Sequence, residues 1–235
     1  MDLIALAPRL HMLRFPVGQA YLWRDDDGLT LIDAGVPGSG APIAEALREL
    51  GHDTAHLRRL VLTHFHADHI GGAAEVAGWG DVTVCAGRAD APVIRGEAEG
   101  PPPNLRDWER PIYEQAMGRM PATSPAPVRV DHKLDDGDTL DFGGGARVVA
   151  VPGHTPGSVA LYLPGARVLF TGDAVARGPD GNVMLGVFNV DSTEAAASFR
   201  RLAALDVTLV CFGHGDPLTE NAAAALHAAS ERLPA

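Results

Sequence analysis

Residues 63–69 read Thr63-His64-Phe65-His66-Ala67-Asp68-His69, which places three imidazoles and a carboxylate within six positions. In an extended segment, side chains at i and i+2 point the same way, so His64 and His66 can reach one metal ion together. The residues from Ile70 onward read as the start of a helix, whose first turn would direct Asp68 and His69 to a second point close by. The stretch therefore predicts two adjacent metal ions, a pair that usually lies ~3.5–4 Å apart.

Three later turns carry further candidate ligands, each beside glycine and next to an apolar run. They are His154 after Pro152-Gly153, Asp173 after Thr171-Gly172, and His214 between Gly213 and Gly215. Glycine allows tight turns and close backbone approach, and loops at strand ends are where functional sites usually lie. Taken singly, each histidine is as easily structural, and Asp68 alone would more often be a helix N-cap. Together they form a complete ligand set for two ions.

With these motifs the chain resembles the metallo-β-lactamase-fold hydrolase superfamily, because five spaced motifs occur in the family's order from Leu31 to His214. The resemblance implies an α+β four-layer αββα sandwich with the metals at one edge between the sheets. It also implies that His64, His66 and His154 bind one metal ion. The second ion would be bound by Asp68, His69 and His214. Asp173 would bridge the two ions, and Asp33 would support the ligands through hydrogen bonds.

The reaction implied by this resemblance is metal-assisted hydrolysis of a small-molecule lactone, ester or thioester. Two Zn²⁺ are the expected cofactors, with Mn²⁺ or Fe²⁺ as alternatives, because nitrogen and oxygen ligand sets bind all of these metals. The expected nucleophile is a metal-bridging hydroxide that attacks a carbonyl carbon. Asp68 is the candidate catalytic residue, since it can orient the nucleophile and move its proton while also binding metal.

Departures from known subfamilies narrow the substrate class. The β-lactamases of the superfamily typically lack an acid where Asp173 stands, and quorum-signal lactonases often have a tyrosine where Ala176 stands. Glyoxalase II proteins carry a helical extension that binds glutathione, whereas only about 20 residues follow His214. Three alternatives stay open: β-lactamase-like amide hydrolysis, an inactive metal-binding protein, and a mononuclear iron persulfide dioxygenase. The dioxygenase would use two histidines and Asp173 as its ligands.

The segment 88–127 is the least regular part of the chain, with three consecutive prolines at 101–103 and a predicted helix over 107–117. Long irregular segments in compact domains are often lids or binding loops, so we expect either a substrate lid or a surface excursion. An apolar run at 183–188 could equally form a substrate wall or a core strand. The candidate substrate-binding residues in these two regions are Trp108, Met117, Met120 and Phe188.

Two halves of short strands and helices follow each other along the chain, which predicts two facing sheets with helices outside. The predicted strands are 10–15, 20–24, 29–33, 59–63, 82–85, 139–142, 147–151, 159–163, 168–171 and 207–212. The predicted helices outside 107–117 are 42–50, ended by Gly51, 192–205, capped by Asp191 or Ser192, and 220–233.

Composition fits one domain over 1–235, because 46% hydrophobic residues allow a substantial core. The net charge of −11 argues against nucleic acid or an anionic membrane as a partner, and its simplest interpretation is that acidity aids solubility. The expected partner is the small-molecule substrate that the subfamily departures leave. Cys85 and Cys211 read as small core residues rather than a disulfide framework. The first residues lack a basic segment typical of a signal peptide, so we expect a cytoplasmic protein. No interface pattern indicates an oligomeric state.

Overall fold

The computed structural model describes residues 1–233 and divides into two compact units. The first unit is Met1–Glu99 with Ala116–Lys133, and the second is Gly100–Gln115 with Leu134–Ala235. The single domain expected for 1–235 stays a prediction, and the segment 88–127 contributes residues to both units. Among residues 1–233, no helix is both long enough and apolar enough to cross a membrane.

The first unit is built on a sheet whose spatial order follows the chain from β1 to β7. Strands β1 to β4 are antiparallel neighbours, whereas β4, β5 and β6 run parallel. The strands are β1 (Asp2–Ala7), β2 (Leu10–Arg14), β3 (Gln19–Arg24), β4 (Leu29–Ile32), β5 (Leu57–Leu62), β6 (Thr83–Gly87) and β7 (His132–Leu134). Because parallel strands need crossover connections, helices lie between β4, β5 and β6 in the chain.

Four helices follow in the first unit: α1 (Gly40–Glu49), α2 (Ala67–Ile70), α3 (Ala73–Ala77) and α4 (Ala91–Ile94). A short 3-10 helix, Thr54–His56, precedes β5. Ile43 and Leu47 of α1 and Val76 of α3 are buried in the same core as Leu22 and Leu31 of the sheet. This packing buries one face of the sheet, which is the main favourable contribution to folding for such a layer.

The second unit contains a five-stranded sheet in the order β14-β11-β10-β9-β8 and a separate hairpin of β12 and β13. Its strands are β8 (Thr139–Leu140), β9 (Ala146–Ala150), β10 (Val159–Leu163), β11 (Val168–Phe170), β12 (Val175–Arg177), β13 (Val183–Leu185) and β14 (Leu209–Cys211). The helices are α6 (Ser192–Ala203) and α7 (Ala222–Ser230), and a 3-10 helix spans Gly172–Ala174. Phe199 of α6 and Leu226 of α7 are buried with Phe212 in the core of this unit. Helix α5 (Arg110–Met117) has residues in both units.

Two helix ends agree with the sequence predictions, the glycine after α1 and the cap of α6, whereas α7 is shorter than predicted and α5 begins later, at Arg110. Gly51 has φ +79° just after α1, where the amide of His52 donates to the carbonyl of Leu47, a common helix ending at glycine. Asp191 caps α6, because its carboxylate accepts from the amides of Thr193 and Glu194.

Several elements were missed or differ from the predictions. Strand β1 was not predicted, because as an edge strand it buries no residue fully and shows no clear alternation. The run 183–188, which could have been a wall or a core strand, begins with β13, and β13 pairs with β12. The helix expected from Ile70 onward begins earlier, at Ala67, and is interrupted at Gly71 and Gly72.

Cys85 and Cys211 lie in β6 and β14 and are almost wholly buried. Burial raises the pKa of the Cys85 thiol to about 11, and raises the pKa of Cys211 well above its ordinary value. Because the thiolate is the reactive form, we expect neither cysteine to be alkylated by iodoacetamide at pH 8 in the folded protein. Intact mass spectrometry should show two added groups only after unfolding in guanidinium, whereas rapid labelling of native protein would contradict this.

Candidate metal centre

The loop after β5 brings two imidazoles together in the first unit. His64 Nε2 lies 3.1 Å from His66 Nδ1. Two nitrogens that bind one tetrahedral ion at 2.0–2.1 Å would be about 3.3 Å apart, so this separation matches ligands of a shared ion. His64 is buried and His66 partly buried, and the extended backbone predicted for this segment is present at His66, with ψ 148°.

Helix α2 places Asp68 and His69 in one turn directly after this loop. Asp68 Oδ2 lies 3.7 Å from His69 Nε2, so the first turn of α2 brings these two side chains together; their role as ligands of a second ion stays a prediction. Gly71 follows the helix, and a Cβ at this position would come within 2.1 Å of the Pro37 nitrogen. Only glycine lets α2 lie so close to this backbone. The close contact fixes the position of α2, and with it the positions of Asp68 and His69.

Asp33 determines which ring nitrogen of two histidines carries the proton. Its Oδ2 accepts from the Thr63 hydroxyl at 2.8 Å and lies 2.9 Å from His69 Nδ1. Because a carboxylate only accepts, the Thr63 hydroxyl donates its hydrogen to Asp33. The same hydroxyl oxygen can then accept from His64 Nδ1, which lies 3.0 Å away. In the neutral form of both rings, these contacts place the proton on Nδ1 and leave on Nε2 a lone pair suited to a metal.

Replacing Asp33 with asparagine should lower metal affinity about 10–100-fold. Both carboxylate oxygens accept hydrogen bonds, Oδ1 from the Thr63 amide and Oδ2 from the Thr63 hydroxyl, and asparagine would put an NH2 donor in place of one of them. Competition with a chromophoric chelator measures this affinity. Asp27→Asn, at an exposed position of the same unit, serves as the matched control. Equal affinities of Asp33→Asn and the wild type would contradict the role of Asp33.

Asp90 is a site residue that the sequence reasoning missed. It is 1% exposed, and its Oδ2 accepts from the backbone amide of Phe65, the residue between His64 and His66. The pattern Asp90-Ala91-Pro92 predicts an N-cap for α4, yet the Asp90 side chain makes no capping hydrogen bond. The carboxylate instead holds the ligand-bearing loop in its extended form.

In the second unit, Asp173 lies against two imidazoles. Asp173 Oδ2 is 3.6 Å from His154 Nε2 and 3.2 Å from His214 Nε2. One carboxylate oxygen thus faces the same ring atom of two histidines, which is the arrangement that a bridging carboxylate needs. His154 is buried, whereas the side chains of Asp173 and His214 are 12% and 38% exposed, so the group opens to solvent on the His214 side.

The turn at 152–158 holds His154 against helix α6. Gly153 has φ +121°, and a Cβ there would lie 2.1 Å from the amide nitrogen of Ala195. Ser198 on the same helix donates its hydroxyl to the carbonyl of Pro152 at 2.7 Å. Ser158 accepts from the amide of Thr155 at 3.0 Å and so closes the same turn.

The turns that carry Asp173 and His214 are joined by backbone contacts. The amide of Gly213 donates to the carbonyl of Gly172 at 3.0 Å, and the amide of Arg177 donates to the carbonyl of His214 at 3.1 Å. Gly215 has φ +89°, and a Cβ there would lie 2.1 Å from the carbonyl oxygen of Arg177. Close backbone approach therefore sets the spacing between Asp173 and His214.

The four candidate substrate residues differ in exposure. Trp108 and Met117 are about half exposed, at 49% and 46%, whereas Met120 and Phe188 are partly buried. Trp108 and Phe188 belong to the second unit, and Met117 and Met120 to the first. Their role in substrate binding stays a prediction.

The donors in both units fit a divalent metal. Each unit offers imidazole nitrogens and a carboxylate at separations of 3.1–3.7 Å. Such sets suit Zn²⁺ and also other first-row divalent ions. Partly exposed carboxylates beside buried histidines allow a substrate to approach from the solvent side.

Comparison with known proteins finds a matching family model. The family model described as the metallo-beta-lactamase superfamily matches residues 13–214. The chain is 29% identical over 228 residues to YflN, a probable metallo-hydrolase of Bacillus subtilis, covering 91% of this chain and 86% of YflN.

A second relative is the hydroxyacylglutathione hydrolase of Rhodobacter capsulatus, which is 31% identical over 197 residues. The match covers 83% of this chain but only 61% of that hydrolase. Among solved structures, a HARLDQ-motif mutant of the metallo-β-lactamase of Cronobacter sakazakii has a TM-score of 0.70 at 24% identity. The structural match covers 92% of this chain and 81% of the Cronobacter chain, and it shows that the two share a fold.

Proposed function

The chain belongs to the metallo-β-lactamase superfamily, with its α+β sandwich fold, and we propose from this premise that it is a dinuclear metal-dependent hydrolase of small acyl thioesters and esters, lactones included. Its relatives carry names of metallo-hydrolases, which supports metal-dependent hydrolysis as the general reaction.

Seven side chains are the proposed ligands of the two ions. Support comes from the donor separations within each unit and from the hydrogen bonds of Asp33, which leave Nε2 of His64 and His69 suited to metal. The orientation of these rings is the observation that carries the proposal, because histidines in a purely structural role need no such matched tautomers. The ligands are His64, His66, Asp68, His69, His154, Asp173 and His214.

Bound divalent ions would supply a water of lowered pKa and would polarise the substrate carbonyl. The chain's own contribution is to place the groups around that water. Asp68, in the first turn of α2 and 15% exposed on its side chain, can accept the proton of an attacking water and return it to the leaving group. Asp33 holds the ring of His69, the residue that follows Asp68 in the same turn.

A thioester is the favoured substrate because of the hydroxyacylglutathione hydrolases among the relatives, whose name denotes thioester cleavage. The chain spans only 61% of the Rhodobacter enzyme and 55% of a Cereibacter sphaeroides one, so the thiol portion need not be shared. The half-exposed Trp108 favours an apolar acyl group. The partner we propose is therefore a small molecule, not nucleic acid.

Metal content and hydrolysis together test this function. Protein purified without a metal-affinity resin should contain two zinc or manganese ions per chain by mass spectrometry. It should hydrolyse at least one member of a lactone, ester and thioester panel, and a chelator should abolish this activity until metal is restored.

One iron ion per chain with oxygen consumption on persulfides would overturn the hydrolase in favour of the dioxygenase. Two ions without turnover of any panel member would overturn the proposed substrate class and favour a metal-binding protein without this activity.

A further inference from the structure

Phe188 has a left-handed backbone, with φ +63°, in the segment between β13 and α6. This conformation disfavours residues with a Cβ, and such strain persists only where the surroundings enforce it, often at functional sites. The segment 186–191, here called the strap, holds the Phe188 ring partly exposed.

The strap joins the turns that carry two proposed ligands. At one end, a Cβ on Gly186 would lie 1.7 Å from the carbonyl oxygen of Asp173, so the two backbones are in close contact. At the other end, the amide of Val190 donates to the carbonyl of His154 at 3.2 Å. The position of Phe188 is therefore fixed relative to both Asp173 and His154.

Glu109 ties the strap to the start of helix α5. Its carboxylate is 3% exposed; one oxygen accepts from the amide of Phe188 at 3.1 Å and the other from the amide of Arg106 at 2.8 Å. A second tie runs from the amide of Asn104 to the carbonyl of Asn189 at 2.9 Å. Hydrogen bonds to a carboxylate are among the stronger ones, so Glu109 can hold Phe188 in its strained conformation.

The ring of Tyr113 completes the arrangement. It packs edge to face on Phe188, with ring centroids 5.1 Å apart and an interplanar angle of 81°. Tyr113 lies one helical turn after Glu109, and its amide donates to the Glu109 carbonyl at 2.8 Å. The Phe188 ring of the strap and the Tyr113 ring of α5 thus pack together as one largely apolar surface.

We propose that Phe188 is a specificity-determining residue that contacts the acyl group of the substrate, and that Glu109 is the positioning residue that holds it there. The inference rests on the proposed function and names its substrate class: thioesters whose acyl group is large and apolar. A rigid apolar surface next to the turns that carry Asp173 and His154 lowers the entropic cost of binding such an acyl group, because the protein side chains are already ordered before the substrate binds.

The test compares hydrolysis of hexanoyl and acetyl thioesters of the same small thiol by the metal-loaded protein. Glu109→Gln and Phe188→Gly should each lower the ratio of kcat/KM, hexanoyl over acetyl, by about tenfold, mainly through KM. Glycine suits φ +63°, so Phe188→Gly removes the ring without backbone strain. Glu114→Gln makes the same carboxylate-to-carboxamide change at an exposed position of α5, and it should leave the ratio unchanged.

Amide hydrogen exchange gives a readout that does not depend on turnover. Glu109→Gln should speed exchange of the Phe188 amide, whereas Glu114→Gln should not. The double variant Glu109→Gln with Phe188→Gly should lower the ratio no further than Phe188→Gly alone, since both act through one ring.

The outcomes separate this inference from the proposed function. If the wild type hydrolyses no member of the lactone, ester and thioester panel, the proposed function fails and the specificity role fails with it. If it hydrolyses a lactone or an ester but neither thioester, the proposed function stands and the present inference is overturned. If the wild type hydrolyses both and the ratio stays unchanged in the Glu109 and Phe188 variants, only the present inference is overturned. A changed ratio with unchanged exchange at Phe188 would overturn the positioning role of Glu109.

Discussion

Replacing Asp68 with alanine is expected to lower kcat/KM by more than ~10²-fold while the protein stays folded. The side chain is partly exposed and lies 3.7 Å from His69 Nε2, where it can serve both as a ligand and as a proton carrier. Alanine removes both roles, but it deletes no large apolar group from the core. Steady-state kinetics on the best panel substrate, with circular dichroism and metal analysis, measures the effect.

Asp68→Asn separates the two roles of Asp68. Asparagine keeps an oxygen that can face a metal, but it cannot take up a proton as a carboxylate does. A variant that keeps its metal and loses turnover would assign proton transfer to Asp68. Asp27→Ala is the control for removal of one negative charge from the same unit, and should behave as the wild type. Full activity of Asp68→Ala would contradict the proposed chemistry.

Local patterns in the sequence predicted the features that depend on neighbouring residues. The i and i+2 relation of His64 and His66 is local, and so are the glycine stop at Gly51 and the cap at Asp191. Each reflects geometry within a few residues, where hydrophobic period, turn chemistry and capping act. The superfamily fold followed from the order of such local motifs rather than from strand pairing.

Contacts between distant residues could not be predicted in the same way. Asp90 binds the amide of Phe65, which lies 25 positions earlier, and Glu109 binds that of Phe188, 79 positions later. Neither acid stands in a motif that indicates such a partner, and buried acids are rare enough to be assigned to the surface by default. The side chains that support the candidate site were thus the least predictable part of it.

Replacing Asp173 with alanine should lower the metal content more than replacing either of its histidine neighbours. Its Oδ2 lies within 3.6 Å of His154 Nε2 and 3.2 Å of His214 Nε2, so a bridging role would make it a ligand of both ions. Removing a shared ligand also leaves the two ions without the negative charge between them, and like charges repel strongly in a partly buried site. We expect Asp173→Ala to retain less than about one ion per chain after dialysis.

The matched comparison is His214→Ala, which removes a proposed ligand of one ion only. This variant should keep about one ion per chain, and its neighbour Asp216→Ala should keep both. Mass spectrometry of metal and protein in the same samples gives the stoichiometry directly. Equal metal loss in Asp173→Ala and His214→Ala would remove the bridging role from Asp173. If Asp173→Ala retained two ions, Asp173 would not be a ligand, because loss of a bridging carboxylate must weaken the binding of both ions.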